Sequence, residues 1–295
     1  MSELTDRPDS ATMHFRNALL CAMDAADMAA MFPYLQEVAL FGGDSLGQPG
    51  TVPESVYFPS NSAISVVTVM QDGREVETAS IGYDGAVGLL SALTETATAS
   101  RMTVQIGGGA IVLPALRLRE QANRSPAFLR LVLRSIMTTS GQAEQAAACY
   151  ALHPLAGRLA RWILVCEDRV NRSQMELTQD HLGVMAGALR SSISLIASEF
   201  KDLGLIHYSR GHMEIVDRQG LEGQACECYR HDRARRDALS LSSMTDLSAG
   251  PTAPALENRD NVVHQGGQLI DPLGLDEEQL RAAVTRPHGV GGGPG

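Results

Sequence analysis

The chain has 295 residues, of which 44% are hydrophobic and 20% charged, and this leaves room for two globular domains. No apolar run approaches the roughly 18 residues of a membrane-spanning helix, and the acidic N-terminus lacks the basic and apolar regions of a signal peptide. We therefore expect a cytoplasmic protein without a membrane partner. The net charge of −10 excludes a uniformly basic surface.

The first third of the chain predicts short helices followed by many short strands. Residues 1–15 are polar and predicted to be flexible. Apolar residues at approximately helical spacing then predict one or two helices: Phe15, Leu19, Leu20, Met23, Met28, Met31 and Leu35. From Val38 to Val112 the pattern is typical of β-strands, with runs at 55–58, 63–70, 74–81 and 102–106. The Asp72-Gly73 pair predicts a tight hairpin, and the whole region predicts a small barrel or jelly roll.

A long helix is predicted to follow this β-rich region. Ser125 is a suitable N-cap and Pro126 suits the first helical position. An apolar stripe continues to about Tyr150, which corresponds to about 37 Å of helix. A small barrel cannot cover that length, so we interpret the surplus stripe as the contact surface of a two-fold dimer rather than as intramolecular core. His153-Pro154 should end the helix, and another is predicted from Leu155 to about Val170.

Residues 177–215 have the spacing of a helix, a tight turn, a second helix and a β-hairpin. Thr178 is predicted to cap the first helix, Gly187 to reverse the chain, and Gly204 to end the second helix. Apolar residues occupy one face of the second helix only. This layout is typical of a winged helix-turn-helix.

The exposed face of the second helix predicts contact with a DNA major groove. Arg190 has the planar donor pair that binds guanine, and Ser191 and Ser194 can serve bases or phosphates. The hairpin would carry Arg210 and His212 to the DNA backbone beside the groove. A solvated helix face with an arginine at its start is the alternative interpretation, and the added hairpin favours DNA binding.

The charge distribution permits this interpretation. Residues 1–150 contain 9 basic and 15 acidic side chains, residues 151–236 contain 12 and 11, and residues 237–295 contain 3 and 8. The acidity therefore lies mainly outside the segment predicted to meet phosphate, although a local charge of +1 is weak support. Lys201 is the only lysine, so arginine must supply nearly every cationic contact.

Other chemistry is weakly indicated. Five scattered cysteines give no disulfide framework, and a metal or iron-sulfur cluster at the Cys226/Cys228 pair would need further ligands that the spacing does not supply. We favour a structural role for that pair and predict no metal and no identified cofactor. The sequence holds no nucleophile elbow, P-loop, Rossmann glycine motif or HExxH, so we expect no enzyme.

The order of these elements resembles the Crp/Fnr family of bacterial transcription regulators, over roughly residues 15–232. The blocks that carry the resemblance are 57–67, 72–88, 153–164, 177–187 and 217–230. The resemblance implies an α+β fold with these parts: a flexible N-terminus at 1–15, a cyclic-nucleotide-binding-like, jelly-roll-like β-roll at 16–124, a dimerisation helix at 125–151, and a winged helix-turn-helix at 152–236. Residues 237–295 are rich in Ser, Pro and Gly and predicted to be disordered, with a brief helix at 275–284.

The resemblance also implies a function. Members bind near-palindromic double-stranded DNA as homodimers, with a β-roll that senses an effector, and RNA polymerase is an expected partner. Arg190, Ser191 and Ser194 match base-facing positions of the family, while Thr178 and Gln179 match phosphate-facing positions. A small-molecule sensor that acts through protein contacts, with a vestigial DNA-binding domain, is the alternative.

Departures from the family pattern bear on the effector. Members that bind cyclic AMP hold its ribose with a glutamate, which Leu89 replaces here, and Arg101 is followed by Met-Thr rather than Ser-Ala. Leucine cannot accept a hydrogen bond from the ribose, so we do not expect cyclic AMP in the usual mode. The corresponding candidates for an unknown effector are Gly82, Gly85, Gly88 and Arg101, although the three glycines also suit turns between strands.

Two further departures concern sensing and base recognition. Members that sense oxygen through an iron-sulfur cluster use an N-terminal cysteine cluster, where this chain has only Cys21. Leu189 replaces a serine that often caps the second helix in the family, and Leu195 stands where the cyclic-AMP-type member has arginine. We therefore expect a different DNA sequence preference.

Overall fold

The computed structural model describes residues 16–245, with side chains described as far as Asp237. The flexibility predicted for residues 1–15, and the disorder and brief helix predicted beyond residue 245, lie outside the described residues. Helix α10 (Cys228–Thr245) continues past residue 237, where the tail is predicted to start. Tyr229, which is buried near the start of α10, anchors that helix in the core.

Two short helices lead into the β-rich region, as predicted. Helix α1 is Ala18–Cys21 and helix α2 is Ala25–Met31. The buried Asn17 caps α1 by accepting hydrogen bonds from the N–H groups of Leu19 and Leu20. Its amide donates to the carbonyls of Pro59 and Gly85, which fixes the helix against the β-roll.

Seven strands form two antiparallel sheets, which confirms the prediction of a jelly-roll-like β-roll. One sheet has the order β1-β7-β3, built from β1 (Gln36–Leu40), β3 (Ser55–Pro59) and β7 (Gly108–Pro114). The other has the order β2-β6-β4-β5, built from β2 (Ser45–Gly47), β4 (Ala63–Val69), β5 (Glu75–Ile81) and β6 (Arg101–Ile106). The predicted hairpin joins β4 to β5, with Gly73 at φ +81°. Strands β1, β2 and β7 were not among the predicted runs.

Two helices follow the roll before the long helix. Helix α3 (Leu89–Thr94) begins after Gly88, whose φ of +91° is readily adopted only by glycine. Helix α4 (Ala115–Arg124) leads to Ser125. The sequence pattern predicted neither helix.

The long helix α5 (Pro126–Leu152) has 27 residues and is about 40 Å long. Ser125 caps it as predicted, since its hydroxyl accepts from the Phe128 N–H at 3.1 Å. Phe128 and Val132 pack into the core beneath the β-roll. Leu133 and Met137 on the opposite side remain exposed.

The C-terminal part is helical with a small three-stranded sheet. Its elements are α6 (Leu155–Val170), β8 (Gln174–Glu176), α7 (Gln179–Ala186), α8 (Arg190–Asp202), β9 (Ile206–Ser209), β10 (His212–Ile215), α9 (Arg218–Gln224) and α10. The sheet order is β8-β10-β9, and β8 was not predicted. Trp162 and Ile163 of α6 are buried at the centre of this part. None of the helices within residues 16–245 is both long enough and apolar enough to cross a bilayer.

A buried carboxyl group lies between the β-roll and α6. Glu77 of β5 accepts hydrogen bonds from the Ser65 hydroxyl at 2.6 Å and from the Gln105 amide at 3.2 Å. Burial raises the pKa of Glu77 to about 8, despite the opposing effects of Ser65 and of the Arg161 and Arg169 guanidinium groups. The carboxyl group is therefore largely protonated at neutral pH.

We predict that Glu77 makes the free energy of unfolding depend on pH. The folded protein keeps a proton on Glu77 up to about pH 8, while the unfolded chain releases it near pH 4.5, so the contribution to stability is lost as pH rises through this window. The variant Glu77→Gln keeps the shape and should flatten that dependence in urea unfolding followed by circular dichroism. Glu37→Gln, at an exposed position on β1, is the control. An unchanged slope in Glu77→Gln would contradict the assignment.

Candidate nucleic-acid interface

Helices α7 and α8 form the predicted helix-turn-helix. The Thr178 hydroxyl caps α7 by accepting from the His181 N–H at 3.2 Å. Gly187 adopts a φ of +60° at the end of α7, and the Ala188 N–H donates to the Gly183 carbonyl at 2.9 Å. A Cβ atom at Gly183 would lie 3.0 Å from the Ala188 carbonyl oxygen. The turn is therefore tight enough to require a very small residue there.

Helix α8 has one buried and one exposed face. Ile193, Ala197 and Phe200 are buried against the domain core. The opposite face is exposed and consists mainly of short or cationic side chains: Arg190, Ser191, Ser194, Leu195 and Ser198. The predicted division of the helix into a buried and an exposed face is confirmed, and no aromatic side chain lies on the exposed face of α8.

Three of the predicted DNA-binding residues are connected by hydrogen bonds. The Gln179 amide donates to the Ser194 hydroxyl at 3.2 Å, and the Arg190 Nε donates to the Gln179 Oε1 at 3.3 Å. Arg190 also lies 3.3 Å from the Asp180 carboxylate, with the two side chains 67% and 68% exposed. An ion pair this exposed contributes little to stability, so it orients Arg190 without locking it away from a ligand.

The wing lies beside the N-terminus of α7. Strands β9 and β10 pair around a tip where Arg210 has a φ of +50° and Gly211 a φ of +83°. The Leu177 N–H donates to the Gly211 carbonyl at 2.8 Å, and a Cβ atom on Gly211 would lie 3.6 Å from the Thr178 methyl group. The tip residue Arg210 and the neighbouring His212 are exposed. Thr178 is thus adjacent to the wing tip, as simultaneous contact of both with one stretch of DNA backbone would require.

Two leucines lie on the same surface as Arg190. Leu189 and Leu195 are 76% and 72% exposed, and Leu189 makes no capping hydrogen bond to α8. Apolar side chains at such positions can contact the methyl group of thymine. The surface therefore combines the guanidinium donor of Arg190 with two exposed apolar side chains.

Tyr150, which the sequence pattern did not single out, connects this interface to the β-roll. Its hydroxyl oxygen lies 2.6 Å from the Glu77 carbonyl oxygen of β5 and 2.7 Å from the Met185 carbonyl oxygen of α7. The ring also approaches Gly187, where an added Cβ atom would be 3.4 Å away. Tyrosine has one hydroxyl proton for two acceptors, so it can be shared between the sheet and the helix-turn-helix. Only the tertiary structure brings these groups together.

A cavity of about 560 Å³ lies between the β-roll and α5. Its lining residues are uncharged, and they combine apolar groups with hydroxyls: Val66, Thr78, Ala79, Ile81, Ala86, Gly88, Leu89, Leu90, Ser91, Thr94, Thr96, Ala97, Thr98, Ala99, Ser100, Met102, Ile136, Thr139, Ser140 and Ala143. Its volume is in the range of small-molecule sites.

The four effector candidates are dispersed around this region. Gly88 lines the cavity. Gly82 faces Arg169 of α6, where an added Cβ atom would lie 2.6 Å from the arginine side chain, and Gly85 lies near Ser135 of α5. Arg101 forms an ion pair with Glu75. The structure thus gives Gly82 and Arg101 contacts within the protein itself, and their role toward an effector stays a prediction.

The helix-turn-helix and the fold both have counterparts among known proteins. Residues 157–223 match the Crp-like helix-turn-helix domain. A transcriptional regulator of the Crp/Fnr family from Eubacterium rectale has a similar structure, with 14% identity, a TM-score of 0.56, and coverage of 70% of this chain and 96% of its own. FixK2 from Bradyrhizobium japonicum gives 16% identity, a TM-score of 0.56 and coverage of 65% and 98%.

A third similar structure is a CRP-family transcriptional regulator from Thermus thermophilus, with 17% identity, a TM-score of 0.54 and coverage of 65% of this chain and 99% of its own. At these identities the structural likeness establishes the fold, while the matched domain model establishes the kind of helix-turn-helix. No curated protein matches the sequence at a significant level. The chain therefore contains a Crp-like helix-turn-helix domain within residues 157–223 and shares its fold with these Crp/Fnr-family structures.

Proposed function

We propose that this protein is a transcription regulator of the Crp/Fnr type rather than an enzyme, and that it binds a near-palindromic DNA site as a homodimer. The observation that carries the proposal is the exposed face of α8, with Arg190 at its start and the wing beside it. In this geometry α8 enters the major groove and the wing contacts the adjacent backbone. Contact with RNA polymerase is proposed from the family resemblance.

Each residue of the interface has a role in this proposal. Arg190 donates to guanine O6 and N7, while Ser191 and Ser194 contact bases or phosphates. The phosphate contacts come from Thr178 and Gln179 at the start of α7. Arg210 and His212 bind the backbone from the wing. Leu189 and Leu195 favour thymine at neighbouring steps, through its methyl group.

The proposal predicts that Arg190→Ala removes preference at one base pair of each half-site. A bidentate arginine-guanine contact contributes about 1–3 kcal/mol of discrimination, so the ratio of affinities for the preferred and substituted base should fall by about 5- to 150-fold. The wing variant Arg210→Ala is the matched control. It should weaken binding to all sequences alike and reduce the salt dependence by about one phosphate contact. Fluorescence anisotropy with DNA selected by the wild-type protein measures both effects.

The same titrations test the alternative of a sensor with a vestigial DNA-binding domain. DNA binding through several phosphates must weaken steeply as salt concentration rises. Binding that is weak and insensitive to salt would favour the alternative, which the exposed Leu189 and Leu195 also motivate. An unchanged base preference in Arg190→Ala would overturn the assignment of that residue.

Helix α5 supports the proposed dimer. Its exposed face carries Leu133 and Met137, with Ala147 and Ala148 two to three turns further along. Apolar and small residues on one side of a long helix permit close packing against a second copy of the same helix. Two α8 helices held in this way would reach half-sites about 34 Å apart.

We predict that Met137→Glu disrupts the dimer. Met137 is 68% exposed in one chain, so a charge there is tolerated by the monomer but costs several kcal/mol in a packed interface. Phe41→Glu is the control, because Phe41 is 69% exposed on the β-roll away from α5. Sedimentation equilibrium should show a dimer for the wild type and Phe41→Glu, and a monomer for Met137→Glu. A dimeric Met137→Glu would place the interface elsewhere.

We further propose that the cavity beside α5 binds an uncharged, largely apolar effector. A cyclic nucleotide needs a cationic partner for its phosphate, whereas Arg101 is paired with Glu75 and Leu89 supplies no acceptor for a ribose hydroxyl. Ile136, Thr139 and Ala143 belong to both the cavity wall and α5. A ligand there would act directly on the proposed dimer helix, and through Tyr150 on the helix-turn-helix.

Thermal unfolding tests this effector class. A neutral ligand at about 100 times its Kd should stabilise the folded protein by about 2.7 kcal/mol, while millimolar cyclic AMP should leave the Tm unchanged. Ala143→Phe, which fills part of the cavity, should abolish the stabilisation by a ligand found in a screen of apolar metabolites. A rise in Tm with cyclic AMP in the wild type, lost in Arg101→Ala, would overturn the proposal.

A further inference from the structure

Four potential metal ligands converge where the long helix meets the C-terminal helices. Cys149 and His153 are one turn apart at the end of α5, and Cys226 and Cys228 flank the start of α10. The ligand atoms of these four side chains all lie within 4.8 Å of one another. Cys149 and Cys228 are buried, and the other two are half-buried.

The separations fit a single tetrahedral ion. The Cys149 and Cys226 sulfur atoms are 3.6 Å apart, and the Cys228 sulfur is 3.5 Å from Nδ1 of His153. An ion bound at about 2.3 Å from sulfur and about 2.0–2.1 Å from nitrogen holds neighbouring ligand atoms roughly 3.5–3.8 Å apart. These two separations match a tetrahedral ion, and the other ligand atoms lie within 4.8 Å of one another.

The groups around the four ligands also suit metal binding. Nε2 of His153 lies 3.0 Å from the Glu227 carboxylate, so the ring is oriented with Nδ1 toward the cluster. A carboxylate on the outer nitrogen of a metal-bound histidine is a common supporting contact. The Gln145 amide donates to the Cys228 sulfur at 3.0 Å, a hydrogen bond that a metal-bound thiolate can also accept.

We propose that Cys149, His153, Cys226 and Cys228 bind one divalent transition metal ion, and that the ion is Zn²⁺. Three thiolates and one imidazole form a closed ligand set that is typical of structural zinc sites. Iron-sulfur clusters hold their ligands around several metal atoms and need wider separations than those seen here. The ion would tie the end of the proposed dimer helix to the end of the DNA-binding domain. The proposal does not depend on which DNA site or effector the protein binds.

This site could not be predicted from spacing alone. The Cys226/Cys228 pair supplies two ligands, and the nearer of the other two is 73 positions earlier in the chain. The preference for a purely structural role of this pair rested on the lack of further ligands nearby in sequence. Folding supplies them.

The test uses the full-length protein purified under reducing conditions without oxygen. Mass spectrometry of the metal content should find about one zinc per chain in the wild type and in Cys21→Ser, which changes an exposed cysteine outside the cluster. Cys149→Ser and Cys226→Ser should each lower the content at least tenfold. His153→Cys should retain zinc, because it rebuilds a four-ligand set. Glu227→Gln should weaken zinc binding by about 10- to 100-fold through the outer contact.

Replacement of zinc by Co²⁺ gives a spectroscopic signal that appears only if the cysteines bind the metal, and not if they merely pack in the core. Wild-type protein should show sulfur-to-cobalt charge transfer and the strong visible bands of tetrahedral Co²⁺. If the cysteine variants fail to fold, chelation of the wild type should lower its Tm and added Zn²⁺ should restore it. A wild type without metal, a Cys149–Cys226 disulfide detected by mass, or the broad absorption of an iron-sulfur cluster would each overturn the proposal.

Discussion

A buried ion pair joins the two halves of the protein. Arg169 of α6 pairs with Asp84, which follows strand β5, and both side chains are almost fully buried. Gly82 makes this approach possible, because a side chain there would overlap Arg169. Removal of one partner from a buried pair costs about 3–5 kcal/mol, since an uncompensated charge remains. The position of the helix-turn-helix domain beside the β-roll therefore depends on this pair.

The interface around that pair contains further polar groups. Arg161 of α6 pairs with Asp232 of α10 at 2.7 Å, and the protonated Glu77 faces α6 from the sheet. Asp168 accepts hydrogen bonds from Arg218 and Arg236, which holds α9 and α10 against α6. Such networks require specific geometry, so they fix how α6, α9 and α10 pack against one another within the C-terminal part. An effector that alters this geometry would change the presentation of α8.

Helix α5 is where the proposed activities meet. Helix α5 lines the cavity and carries Leu133, Met137, Cys149 and Tyr150. His153 directly follows its last residue. A small rotation of this helix would change the dimer contact and the Tyr150 bridge together. The helix would thus connect a ligand in the proposed effector cavity to the proposed DNA-binding surface. The proposed zinc would fix the far end of that route.

The sequence by itself determined the helix-turn-helix, its wing, the long helix and the β-rich character of the N-terminal part. Local rules govern these features: Thr178 and Ser125 cap helices, Gly187 and Gly73 permit turns, and apolar spacing decides which face of α8 is buried. Short strands such as β1 and β8 were not predicted, because they form through pairing with neighbouring strands rather than through a pattern in their own residues.

Only the tertiary structure decided which distant groups meet. The Arg169–Asp84 pair, the Tyr150 bridge, the cavity wall and the four-ligand cluster all join residues far apart in the chain. The spacing of residues predicts which side chains lie on the same face of one helix or strand. The contacts named above depend instead on how whole helices and strands pack against one another. The exposed face of α8 could therefore be predicted residue by residue, while the connections between that helix and the rest of the protein could not.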